Sequence, residues 1–258
     1  MLEQTPLPEL DLFIRNGLEA ALRLASDLKF NSLIDVGSGG DNHKRFFEQY
    51  CPNVFTNDFD EQLVGQNYPG DFMSIEFDRR FQVVYASNVL EHSRNVGMFI
   101  EKLFAICEDD GYVAIMVPRP HLNRLLSGHI TTWTTGTLIY NIVVAGYDCS
   151  HAKVCNGVFE KSVIVQKRPI RDDPDFVYRS GVVDDVGKLA KFFPWPVRHK
   201  GPGVLPSVRW DKHYTLPVTG KFRRAHLRYL SGDVITVDDG GSCSIPQEPP
   251  ENFIVGHI

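Results

Sequence analysis

Apolar residues near the start of the chain recur every three to four positions, at Leu10, Phe13, Ile14, Leu18, Ala21, Leu22, Ala25 and Leu28, which predicts an amphipathic helix. A strand over Ser32–Val36 follows and ends in glycines. Helical and strand patterns then alternate: a polar helix near Asn42–Tyr50, a strand Asn53–Thr56, a short strand after Asp71, a strong strand Phe81–Ala86, a helix Val96–Cys107 and a strand Tyr112–Val117. Alternation of this kind predicts an α/β fold, a parallel sheet covered by helices on both faces. Right-handed crossovers leave few topologies for it. Beyond a linker at Pro118–Gly128, a helix over Thr134–Ala145 leads to two strand-like runs, Asp148–Val154 and Phe159–Gln166. Asn156-Gly157 between them suits a type I′ hairpin turn, so the sheet should finish with an antiparallel strand. From Pro169 onward prolines and glycines multiply and no helical period persists. The predicted organisation is therefore one domain over 1–168 and an accessory region of short strands and loops over 169–258, serving the acceptor site or an interaction.

Composition narrows the setting. The chain has 258 residues, 43% hydrophobic and 23% charged, the proportions of an ordinary globular protein. Acids stand near the start where a signal peptide would carry basic residues, and no run reaches the roughly 18 apolar residues of a membrane span. A cytoplasmic protein without a transmembrane segment is expected. Five scattered cysteines suit reduced thiols rather than a disulfide framework. Cys149, His151 and Cys155 fit strand positions better than a zinc site, which wants four ligands. The net charge of −5 conceals an asymmetry: residues 1–166 hold 13 Lys/Arg against 21 Asp/Glu, residues 167–228 hold 14 against 6, and the last thirty hold none against 5. The basic segment could attract an anionic partner or simply neutralise the acidic body.

The candidate chemistry lies between Leu33 and His92. In Leu33-Ile34-Asp35-Val36-Gly37-Ser38-Gly39-Gly40 an acid and two alternate glycines stand where a first strand turns into a helix, a place where the backbone can approach a ligand. A dinucleotide fingerprint needs a third glycine, but that position is Asn42. Asp35 would also repel a pyrophosphate. About twenty residues on, Asp58 closes the next strand at the separation at which a carboxylate can accept hydrogen bonds from ribose hydroxyls; capping of a nearby helix by Asp58 and Asp60 is the alternative. Asp71 falls where the third strand should end, placed to meet an adenine amino group while Phe72 covers the ring.

The succession LIDVGSGG, FTNDFD, PGDFMSIEFDRRFQVVYASNVLEH, a helix and then Asp110–Pro118 resembles class I S-adenosylmethionine-dependent methyltransferases, over about residues 30–167. Its closest likeness is to the small-molecule group whose fourth strand ends in a Val-Leu-Glu-His-like sequence. The resemblance implies a Rossmann-like seven-stranded sheet, six strands parallel and one antiparallel. It implies S-adenosyl-L-methionine as cofactor and S-adenosyl-L-homocysteine as product. By that likeness Asp35, Gly37, Ser38 and Gly39 lie against the methionine part, Asp58 holds the ribose, Asp71 and Phe72 the adenine, and Asn88 faces the sulfonium. Asp41, where many relatives have another glycine, is a departure that puts the contacts around Gly40 in doubt.

A hydroxyl acceptor must lose a proton, and histidine is the usual partner. The two candidates are His92, at the carboxyl edge of the sheet, and His129, in the linker that closes over the acceptor in similar enzymes; packing or capping is the alternative for each. Glu91 and His92 are also similar to the Glu-x-x-Glu-His of quinone-precursor O-methyltransferases, which looks like a divalent-metal site. Asn88 replaces its first Glu, so a divalent metal stays open but is not favoured. Trp195, Trp210 and Tyr214, interleaved with Arg198, Lys200, Arg209 and Lys212, could stack on sugars or bases but suit a small core better. The favoured reading is O-methylation of a small molecule or saccharide, with a phosphorylated or lipid-linked glycan as one form. A nucleic-acid methyltransferase and a non-catalytic cofactor-binding scaffold are the rivals. The sequence does not name the acceptor, the oligomeric state or the role of the accessory region.

Overall fold

The structure, a computed structural model, describes residues 7–14, 16–60, 62–120, 126–157, 160–178, 185–197, 211–228 and 234–245. Within them run β1 (Glu9–Phe13), α1 (Leu18–Asp27), β2 (Ser32–Val36), α2 (Asn42–Phe47), β3 (Asn53–Asp58), β4 (Tyr68–Pro69), β5 (Phe81–Ser87), α3 (Val96–Ala105), β6 (Cys107–Pro118), α4 (Thr135–Val144), β7 (Lys153–Asn156), β8 (Glu160–Gln166), α5 (Asp185–Lys188), β9 (His213–Thr215), β10 (Arg224–Arg228), β11 (Val234–Asp238) and β12 (Ser242–Ser244).

Seven strands form the central sheet in the order β4-β3-β2-β5-β6-β8-β7. All pairings from β4 to β6 are parallel, whereas β8 runs antiparallel to both β6 and β7. One antiparallel strand among six parallel ones matches the expectation. The middle strands read as continuous apolar runs because both faces are covered. On one face Ile34, Val84 and Ile115 pack with Phe99, Leu103 and Ile142, from α3 and α4. On the other, Leu33, Val83, Tyr85 and Ala114 meet Leu18, Leu22 and Phe47, from α1 and α2.

Four local expectations are corrected. The apolar series from Leu10 is not one helix: Glu9–Phe13 is a strand, and the helix starts at Leu18 behind Gly17, whose φ of 76° breaks the chain. That strand pairs in parallel with β10, and β10 pairs with β11, so Glu9–Phe13 belongs to a three-stranded sheet built mostly from the accessory region. The short strand after Asp71 lies instead at Tyr68–Pro69, just before it. The strand expected over Asp148–Val154 is confined to Lys153–Asn156. Asn156-Gly157 is also not a two-residue turn, because Asn156 pairs with Lys161 as a strand residue. There the Asn156 side chain accepts from the Thr135 hydroxyl at 3.1 Å, and the Gly157 carbonyl accepts from Lys161 Nζ at 2.7 Å.

Accessory elements pack on both faces of the central sheet. Tyr214, Leu216, Phe222 and Leu227 join the cluster around α1, and Leu189, Phe192 and Trp195 join the cluster around α4. Lys212 Nζ bonds Glu19 Oε1 at 3.1 Å, a buried ion pair that ties the accessory chain to α1. Trp195 and Tyr214 are thus core residues; Trp210, Arg198, Lys200 and Arg209 lie outside the described residues. No helix among the described residues is long and apolar enough to cross a membrane. All five cysteines are buried free thiols.

Candidate active site

The carboxyl ends of β2, β3 and β5 gather the sequence-predicted residues, as open α/β sheets gather ligands. After β2 the chain turns through Gly37 and Gly39, with φ of 70° and 58°. Asn57, near the end of β3, accepts from the Gly37 and Ser38 amides at 2.8 and 3.1 Å. The Asp58 carboxylate accepts from the Gly39 amide at 2.8 Å and the Asp60 amide at 2.9 Å. Asp58 is therefore the post on which the glycine loop hangs, as well as a carboxylate at the pocket edge. The two glycines differ in their surroundings. A Cβ on Gly37 would come within 2.7 Å of Val89 Cγ2, whereas nothing lies within 4 Å of one on Gly39. Close packing on the β5 loop requires the first glycine, and open space faces the second.

Several buried polar atoms here have no protein partner. They are Asp35 Oδ1, Ser87 Oγ, Asn88 Oδ1 and both carboxylate oxygens of Glu91, while Asp35 Oδ2 has only the nearby His43 ring. Asn88 has a φ of 52°, held by its amide on the Met116 carbonyl at 2.9 Å. Buried polar groups are normally paired, so orphans clustered at two adjacent strand ends are what a polar ligand would satisfy. A cofactor's ammonium and sulfonium fit acids and amide oxygens beside an open glycine loop.

His43 was missed by the sequence reading. Its Nδ1 lies 3.4 Å from Asp35 Oδ2, and its Nε2 donates to the Asn16 carbonyl at 2.9 Å. Burial disfavours its charged form, but the Asp35 carboxylate and the Asn16 carbonyl outweigh it and hold the imidazole above its usual range. Next to it Gly17 is gripped from both sides: its amide donates to Glu160 Oε2 at 2.8 Å, and its carbonyl accepts from the Tyr85 hydroxyl at 3.0 Å. The only sequence signal for His43 was a titratable residue in the first turn of the helix after the glycine loop.

The adenine-side residues split. Asp71 is exposed, and its carboxylate accepts from the Met73 amide at 3.1 Å and the Ser74 hydroxyl at 3.0 Å. Phe72 is 5% exposed and packs on Phe99 with ring centroids 4.7 Å apart, with Lys102 Nζ 5.2 Å from its ring. Phe59, unremarked in the sequence, follows Asp58 and is 79% exposed.

On the acceptor side the chain brings together residues that are far apart in sequence. One 3₁₀ turn, Leu90–His92, follows β5. The amides of Ile130 and Thr131 both donate to the Glu91 carbonyl, at 3.0 and 3.2 Å, which draws the linker onto this turn. The His92 and His129 rings then stand edge to face, 5.0 Å apart. Burial pushes the Glu91 carboxyl above its ordinary range, against the opposing pull of a backbone hydrogen bond and of His92.

A seven-stranded sheet in this order, with a glycine loop after β2 and an acid closing β3, defines the class I methyltransferase architecture. Residues 10–166 match the Methyltransferase domain family, and the chain belongs to that family. It is an S-adenosylmethionine-dependent methyltransferase. Solved structures with a similar fold include an amino pentose methyltransferase of Micromonospora echinaspora involved in calicheamicin biosynthesis, 12% identical over 59% of this chain and 89% of that one, with a TM-score of 0.47. A 1,6-didemethyltoxoflavin-N1-methyltransferase of Burkholderia thailandensis is 19% identical, with coverage of 58% and 79% and a TM-score of 0.44. Human N-acetylserotonin methyltransferase is 16% identical, with coverage of 58% and 51% and a TM-score of 0.45. A comparison with curated proteins found no match.

Proposed function

We propose that the chain transfers a methyl group to an oxygen of a small-molecule or saccharide acceptor, in the cytoplasm, at the wall formed by Glu91, His92 and His129. The observation that carries this reading is the meeting of His92 and His129, from segments 36 residues apart at the Gly128 contact, beside the strand end that carries Asn88. S-adenosylmethionine, when bound, supplies an electrophilic methyl group on a cationic sulfur. Asp35 and Asn88 bring buried acceptor atoms to its amino-acid and sulfonium side, Gly37 and Gly39 offer backbone without side-chain bulk, and Ser38 lies between them. Asp58 accepts the ribose hydroxyls while it holds the Gly39 amide. Asp71 faces the adenine edge. Phe59 offers the adenine an exposed ring face, while Phe72 supports that wall from the core.

The histidines orient a hydroxyl and remove its proton as the new bond forms, which positioned general bases accelerate by roughly 10²–10⁴-fold. The linker held on Glu91 excludes water from the reacting atoms, and the transfer depends on that near-attack geometry. Accessory elements buttress α1, and through it the Gly17 segment beside the cofactor site. Thiols that are all unpaired and buried suit a reducing compartment. A radiolabelled methyl-transfer screen over sugars, glycans, phenolic small molecules and RNA tests the reading. Label on a hydroxyl of a small acceptor supports it, and label confined to nucleic acid or to nitrogen overturns it.

A further inference from the structure

We infer that Glu91, His92 and His129 form a binding site for one divalent transition-metal cation of the zinc type, which would hold an oxygen-bearing acceptor. The inference rests on the reading above only in placing the acceptor at this wall. The site itself stands on four observations.

First, a ligand atom from each residue lies within 4.8 Å of the other two, a convergence found in no other group of His, Cys, Asp or Glu among the described residues. Second, the Glu91 carboxylate is fully buried, and neither oxygen has a hydrogen-bond partner. A buried charge without a partner is costly, and a bound cation would offset that cost.

Third, His92 is set up as a ligand. Its Nδ1 is 2.8 Å from the Gly128 carbonyl, which can only accept, so Nδ1 carries the proton and Nε2 of the neutral ring presents a lone pair. Metal-bound histidines are commonly oriented in this way, by an N–H on a backbone carbonyl. Gly128 makes the approach possible: at its φ of +78°, a Cβ would stand 3.0 Å from His92 Nδ1.

Fourth, the separations suit an ion rather than a proton. His92 Nε2 and Glu91 Oε1 are 3.8 Å apart, two acceptors facing each other beyond hydrogen-bond reach. Two donors each about 2.1 Å from a tetrahedral ion stand about 3.4 Å apart, so an ion bridges this pair once it closes by about 0.4 Å. The other separations in the group, all within 4.8 Å, close by up to about 1.4 Å through side-chain rotation.

The donor set selects the metal. Two imidazoles and one carboxylate suit zinc, cobalt or iron, whereas magnesium prefers oxygen ligands. Three protein ligands also leave a coordination position open, and the half-exposed His92 turns that position toward solvent and acceptor.

The test uses the full-length protein, stripped of metal with a chelator and titrated calorimetrically with Zn(II), and separately with Mg(II). One Zn(II) per chain is expected, with Mg(II) at least tenfold weaker. Glu91→Gln, His92→Ala and His129→Ala should each weaken Zn(II) by at least the roughly 10–100-fold that loss of an outer-shell partner costs. Their affinity for S-adenosylmethionine reports the fold. Should a variant not fold, Co(II) loaded into the wild-type protein gives a visible spectrum that reports nitrogen ligation. Absence of stoichiometric Zn(II), equal preference for Mg(II), variants that bind like wild type, or a Co(II) spectrum without nitrogen ligands would each overturn the site. Because this titration contains no acceptor, its failure leaves the general-base reading standing. A His129→Ala protein with a wild-type transfer rate would strike that reading together with the ion's hold on the acceptor, and leave only the cation binding that the titration measures.

Discussion

Replacing Gly37 by alanine asks the glycine loop for two things it cannot easily give. At a φ of +70° an L-residue pays roughly 1–2 kcal/mol for the left-handed conformation. The new Cβ would also stand 2.7 Å from Val89 Cγ2 and 2.8 Å from Val89 Cβ, and overpacking of this kind typically costs about 1–3 kcal/mol. The expected destabilisation is therefore about 2–5 kcal/mol, read as a lower urea midpoint at constant slope. Gly39→Ala, at a φ of 58° with nothing within 4 Å, should lose only the conformational part, about 1–2 kcal/mol. Its methyl projects into the open side of the loop, so cofactor affinity should fall more than stability does. Val89→Ala in the Gly37→Ala background should restore part of the loss, a coupling that a double-mutant cycle measures. A Gly37→Ala protein as stable as Gly39→Ala would refute the close approach of this loop to Val89.

Other outcomes follow from the same geometry. His129→Ala should bind S-adenosylmethionine normally and lose roughly 10²–10⁴ in transfer rate, checked by calorimetry beside a single-turnover assay. Phe59→Ala should weaken cofactor binding without loss of stability, whereas Phe72→Ala should cost about 3–5 kcal/mol of stability in a denaturant titration. His43 titrates above its ordinary value in the folded chain, so its contribution is complete below about pH 6.5 and fades as pH rises through the folded value. The stability advantage of wild type over His43→Gln should accordingly shrink as pH rises above about 6.5, and an advantage that grows with pH would contradict the Asp35–His43 contact.

The central strands were legible because their signals are local. Leu33-Ile34-Asp35-Val36 and Phe81–Ala86 are apolar runs between turn residues, and both are strands where the pattern put them. The first strand misled because Leu10, Ile14 and Leu18 share helical spacing, while Glu9, Leu10, Asp11 and Leu12 also alternate polar with apolar. Only its partner decides, and Arg224–Arg228 lies more than 200 residues away. In the same way the strand-end acids could be read one at a time, whereas the clamp of Ile130 and Thr131 on Glu91 depends on tertiary contact. Asn156-Gly157 carried a strong turn signal, but Asn156 bonds Thr135 on α4 and stays in the strand. His43 could not be paired with Asp35 before α2 was seen packed back over the end of β2.

The most direct test is a calorimetric titration of S-adenosylmethionine into wild type and Asp58→Ala, with denaturation confirming that both are folded. Asp58 should supply two hydrogen bonds from ribose hydroxyls to a charged acceptor, each worth roughly 1.5–3 kcal/mol. The account predicts one molecule bound per chain and an affinity at least tenfold weaker in the variant. Absence of binding to wild type, or equal affinity in both folded proteins, would contradict it.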